Sequence, residues 1–171
     1  PATPVTPGGG TTPTTPALGA VLTDFKIQNT GGAQTNAPFT FGQIIAPGQM
    51  SPTDGLAATL ADGSTVPLQT DVKATHPDGS VRHVIVSGVL PSLAAGATQT
   101  LKLVKSSASE RSVESLTSLT NAGLSGKVTI TIDGVAYSAT LADALSDPTP
   151  ETWLSGPIAN EWLLDAPLPL W

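Results

Sequence analysis

The sequence predicts an all-β fold, a small antiparallel barrel or sandwich behind an extended arm. Apolar and polar residues alternate with period two in one stretch after another from Val21 onward, and Asp-Gly pairs sit between several of these stretches. Helical spacing appears in one short segment only. No solenoid-type repeat is present beyond the recurring Asp-Gly turn.

The first twenty residues, PATPVTPGGGTTPTTPALGA, carry no charge and are dominated by proline, threonine and glycine. Proline fixes φ and the triple glycine loosens the chain, so residues 1–20 read as a linker or docking arm with little apolar surface of its own to bury. Residues 21–171 are then the β-barrel domain. A start at Pro1 without methionine and a stop at Trp171 within the apolar run WLLDAPLPLW fit the N-terminal part of a longer chain.

The strands follow in order. VLTDFKIQN alternates and is broken by TGG; APFTFGQII places Phe39 and Phe41 on one face and is closed by APGQMSPTDG. LAATLADGSTVPLQTDVKATH makes two strands around Asp62-Gly63. In the second of them Val66, Leu68, Val72 and Ala74 share a buried side, and Gln69, Asp71, Lys73 and Thr75 a wet one. SVRHVIVSGVL and ATQTLKLVKSS are two more strands, separated by PSLAAG. SASERSVESLTSLTNAGLSG predicts one short helix, capped by Ser112, with Val113, Leu116 and Leu119 at helical spacing. KVTITIDGVAYSATL is the clearest hairpin, pairing Ile132 with Val135, Ile130 with Tyr137 and Val128 with Ala139 about Asp133-Gly134. SGPIANEWLLDAPL begins a last strand.

Composition narrows the function. A length of 171 residues with 39% hydrophobic residues suffices for one domain with a core. Net charge is −6 with 12% charged residues, so no basic stripe exists for nucleic acid. No apolar run approaches the roughly 20 residues a membrane-crossing helix needs. The absence of cysteine removes disulfides, thiolate nucleophiles and zinc-thiolate sites, and leaves the compartment open.

Both histidines lie in ATHPDGSVRHVIVSG. A turn centred on Asp78-Gly79 places His76 opposite Val81, Thr75 opposite Arg82, Ala74 opposite His83 and Val72 opposite Ile85. His83 then shares the apolar face with Val72 and Ile85, while Asp71 lies on the other. No carboxylate orients His83 as a general base, no G-x-S-x-G elbow supplies a nucleophile, and the two histidines lack the three or four ligands a metal requires. His83 is therefore a partly polar core filler and Asp78-Gly79 a turn. Among the thirteen Asp and Glu residues no pair stands out for sugar hydrolysis, since Asp62, Asp78 and Asp133 precede the glycines of hairpin turns. Trp153, Trp162 and Trp171 pack the last strands; alternatively they stack on sugar rings.

One resemblance goes beyond spacing. The TFG strand at Phe41-Gly42, VPLQ at Val66 to Gln69, and PDGSVR at Pro77 to Arg82 resemble the N-terminal RIFT-type β-barrel of exo-acting rhamnogalacturonan-lyase-like proteins, with SGPIANEW similar to a later strand of that family. The signature turn comprises Pro77, Asp78, Gly79, Arg82 and His83, the last standing where many relatives have tryptophan. In the enzymes of the family the chemistry is associated with a following α/α-toroid. Nothing here resembles one, so the resemblance implies no catalytic residue, cofactor or metal ligand. Similar barrels occur in tail proteins of tailed bacteriophages.

Two expectations follow from the resemblance. In the first, the chain is a non-catalytic structural module of a phage tail tip, baseplate or fibre, a homo-oligomer docked to other virion tail proteins and supporting attachment to a host receptor. In the second, it is the accessory barrel of a secreted polysaccharide lyase or hydrolase. Trp153, Trp162 and Arg82 are the candidate contacts to a cell-surface glycan or a partner.

Overall fold

The computed structural model describes residues 16–107, 114–146 and 149–165. Most of the expected arm, the Ser112 cap with Val113, and Trp171 lie outside these residues.

Six strands form one antiparallel curled sheet: β1 (Val21–Gln28), β2 (Gln34–Ile44), β3 (Gly55–Thr59), β4 (Thr65–Thr75), β5 (Val81–Leu93) and β6 (Thr98–Ser106), in the order β1-β6-β3-β4-β5-β2. The period-two pattern explains the inside of the curl. Val66 and Leu68 on β4, Val84, Val86 and Leu90 on β5, and Leu101 and Leu103 on β6 are all buried and pack as one core with Met50. Each such side chain stabilises the fold by about 1.5–3 kcal/mol. β4 bends between neighbours: Thr65 to Pro67 pair with β3, and Leu68 to Thr75 with β5.

β1 and β2 end the sheet, and no ladder joins them. Side chains bridge the gap instead. The Phe25 ring lies 4.8 Å from Phe41 and 6.0 Å from Phe39, centroid to centroid. Gly88 makes room for this cluster, since a Cβ there would come within 2.4 Å of the Phe39 ring. The barrel is thus closed on one side by aromatic packing. A cleft of about 340 Å³ opens beside Asn29 and Leu93 at one end of the seam, and another of about 320 Å³ beside Leu22 and Gln49 at the other.

The remaining elements are small. A hairpin of β7 (Lys127–Ile132) and β8 (Val135–Thr140) has the predicted register throughout and is flanked by α1 (Leu116–Asn121) and α2 (Leu141–Leu145). The α1 cap is Ser115, and α2, closed by a Thr140–Asp143 capping box, was not anticipated. Strands β9 (Glu151–Leu154) and β10 (Glu161–Leu163) form a two-stranded ribbon with an irregularity at Trp153. Among the described residues no helix is long and apolar enough to cross a membrane.

Candidate functional site

The Pro77-to-Arg82 turn is built by hydrogen bonds that its sequence supplies. His76 N–H donates to Ser80 O (2.8 Å), Gly79 N–H to His76 O (2.9 Å), and Gly79 takes φ +82°. Asp78 Oδ1 accepts from both Ser80 N–H (2.9 Å) and Ser80 Oγ (2.6 Å). Asp62-Gly63-Ser64 repeats this geometry, with the same two bonds at 2.9 and 2.6 Å. The serine hydroxyl and backbone bonds hold both carboxyls below the usual aspartate range, against a small opposing effect of burial; the charge of nearby His76 helps at Asp78.

The turn also grips its neighbour. His76 Nε2 bonds Ile45 O (2.9 Å), Gly48 N–H donates to Ser80 Oγ (2.9 Å), and Val81 N–H donates to Met50 O (2.8 Å). These contacts fasten the β2–β3 connection to the signature turn. Arg82 is exposed, and its carbonyl accepts from Ile45 N–H (3.0 Å). Asp54, at the end of the same connection, meets Lys105 at 2.9 Å. Burial alone would raise the Asp54 carboxyl, but the Lys105 and Ser51 hydrogen bonds and the Lys105 charge outweigh it and lower it.

The expected position of His83 needs correction. Ala74 does face His83, but the ladder slips between Val72 and Ala74 and again before Thr75, so that Val72 faces Val84, Asp71 faces Ile85, and Thr75 faces Val81. A bulge of this kind changes which residues share a face. Val84 and Val86 are the ones turned into the core. His83 lies half-buried on the outer side with Ile85 and Asp71, its Nε2 3.0 Å from where a Cβ on Gly42 would stand. It is not a core filler.

The outer side of β4 carries the densest polar constellation, where sequence alternation predicts a wet face. Gln69 is only 2% exposed. Its Nε2 donates to Asp71 Oδ2 and Ala159 O, each at 2.7 Å, and its Oε1 accepts from Ile158 N–H (2.9 Å) and Ala159 N–H (2.8 Å). Every donor and acceptor of the amide is used. Asp71 Oδ1 accepts from Ser155 N–H (3.0 Å), and Asn160 bonds Gly156 through both its donor and its acceptor. Residues 155–160 are thereby laced onto β4. Lys73 completes the line: Nζ donates to Trp153 O and sits 4.2 Å from the centroid of the Trp153 ring. Trp153 keeps 44% exposure, and Trp162, opposite Thr152, is half-buried.

VPLQ and SGPIANEW thus meet in space, and PDGSVR meets the connection that follows TFG. Their polar groups are spent on each other. His83 and Asp71 share a face, while Trp153 and Trp162 share the small ribbon. Sequence reasoning missed the Gln69 clamp because its partners are backbone groups about ninety residues away, which no local pattern announces. Among the described residues no three His, Asp or Glu side chains are grouped to hold a metal ion.

Residues 23–89 match the family model of the PcRGLX-like N-terminal RIFT barrel domain. The match runs from β1 into β5 and contains TFG, VPLQ and PDGSVR. No curated protein and no solved structure matches the chain. Over residues 23–89 the chain is therefore similar to the RIFT-type barrel of rhamnogalacturonan-lyase-like proteins, in keeping with its antiparallel curled sheet.

Proposed function

We propose that this chain is a non-catalytic structural module that docks onto neighbouring proteins, in the setting of a bacteriophage tail. The observation that carries this reading is where the polar groups go. His76, Asp78, Gln69, Asp71 and Lys73, the residues best suited to chemistry, are engaged in holding the chain's own loops, while an apolar hairpin lies open at the surface. Such a surface suits contact with another protein better than turnover of a substrate. The proline-threonine arm at residues 1–20 is the second docking element. Deleting it from the parent gene tests the proposal: the barrel folds, and particles lack the protein. Normal incorporation into particles without the arm overturns it.

The family match favours a second reading, an accessory barrel bracing a polysaccharide-degrading domain. Trp153 is its candidate glycan contact, since part of its ring is exposed beside the Lys73 charge. Calorimetry against acidic plant-type glycans tests this, with heat expected from the native chain and much reduced heat from Trp153→Ala. Absence of heat with the native chain removes the reading.

A further inference from the structure

We propose that two copies of this chain pair through the outer edge of β7, with a two-fold axis passing beside Ile130, so that two hairpins merge into one four-stranded antiparallel sheet. The inference is independent of the setting assigned above.

The hairpin is poorly satisfied alone. Val128, Ile130, Ile132 and Val135 form one face and are between 43% and 62% exposed. Every residue of β7 is exposed, and neither α1 nor α2 contains a buried residue. An isolated two-stranded ribbon is marginal in water, and additional strands are what stabilise it. Among the described residues the sheet stops at two strands, which leaves the outer edge of β7 unpaired.

The hydrogen-bond parity of that edge is set. Asp133 and Gly134 both have positive φ, 51° and 83°, which makes a two-residue type I′ turn. Such a turn is closed by a doubly bonded pair, here Ile132 and Val135. At the other end of the ribbon Leu141 N–H donates to Gly126 O (2.8 Å), the same parity. Residues 126, 128, 130 and 132 therefore direct their backbone groups towards β8. Lys127, Thr129 and Thr131 direct theirs outward, where a further strand would receive them.

Charge selects a second copy as that strand. Lys127 at the base and Asp133 at the tip are the only charged residues between 127 and 140. An antiparallel pair of β7 strands centred on Ile130 sets Lys127 of each copy beside Asp133 of the other. The same register sets Val128 beside Ile132 and Thr129 beside Thr131. The outward backbone groups of Thr129 and Thr131 then meet, as an antiparallel ladder requires, and the apolar face continues unbroken across the axis. Parity, side-chain face and charge agree on one register. The pairing is isologous and closes, as a two-fold dimer must.

Sedimentation equilibrium of the full chain over the micromolar range tests this. The expected result is a dimer that Thr129→Pro converts to a monomer with an unchanged far-UV spectrum, because the Thr129 N–H serves no bond within the hairpin. Lys127→Glu, a surface change, weakens the dimer about tenfold by setting like charges at both ends. Asp133→Asn in the Lys127→Glu background recovers part of that loss, and added salt strengthens the Lys127→Glu dimer. Amide exchange at Thr129 and Thr131 slows as concentration rises. A native chain that stays monomeric, a dimer indifferent to both Thr129→Pro and Lys127→Glu, or exchange at these two amides independent of concentration overturns the proposal.

Discussion

Gly156 lies against the Gln69 side chain so closely that a Cβ at position 156 would fall 2.4 Å from Gln69 Cδ and 2.6 Å from Oε1. Contacts this short force either the glutamine or the loop to move. Gly156→Ala is therefore expected to lower stability by about 1–3 kcal/mol, as overpacking does. Urea denaturation measures it, and a loss below a few tenths would mean the loop is held elsewhere.

Gln69→Leu keeps the approximate volume and removes four hydrogen bonds. It leaves Ile158 N–H, Ala159 N–H and Ala159 O without their partner. The expected cost is about 2–4 kcal/mol, with residues 155–160 released from β4. Limited proteolysis should cut the variant within this segment while the native chain resists.

Lys105→Met retains the buried stem of a side chain that is 6% exposed, but strands the Asp54 carboxylate. A loss of about 2–4 kcal/mol is expected by thermal denaturation, and a second change, Asp54→Leu, should recover most of it.

Acid should weaken the two Asp-Gly-Ser turns together. The carboxyls of Asp62 and Asp78 titrate in the folded chain below their ordinary value of 3.8. The stability they contribute is present above that value and is lost as pH falls through the lower folded one. Ser64→Ala with Ser80→Ala should flatten this part of the profile, measured as the urea midpoint against pH from neutral into the acid range.

Local pattern was enough for most strands and fell short where distant segments decide. The β7–β8 register was legible because Asp133-Gly134 dictates a turn that pairs its neighbours one by one. The helix at Leu116–Asn121 was legible from leucine spacing, although its cap is three residues later than expected. At Asp78-Gly79 the same reasoning slipped, since a bulge after Val72 carries His83 to the outer side. Alternation along β4 marks Gln69 as wet, and only the arrival of residues 155–160 buries it. The β9 strand and α2 are too short to show a period. Of the candidate residues, the Asp78 turn could be built from its own sequence, while its grip on Ile45, Gly48 and Met50 could not.

Closing one side of a barrel with phenylalanines instead of a ladder has a thermal consequence. Hydrophobic attraction fades on cooling, whereas the backbone bonds that join the other strands, exchanged for bonds to water when a ladder opens, do not weaken in that way. The line between Phe25 and Phe41 is thus the one join of the barrel that cold loosens selectively. Chilled, the curl should part there first, opening like a split ring with every ladder still intact.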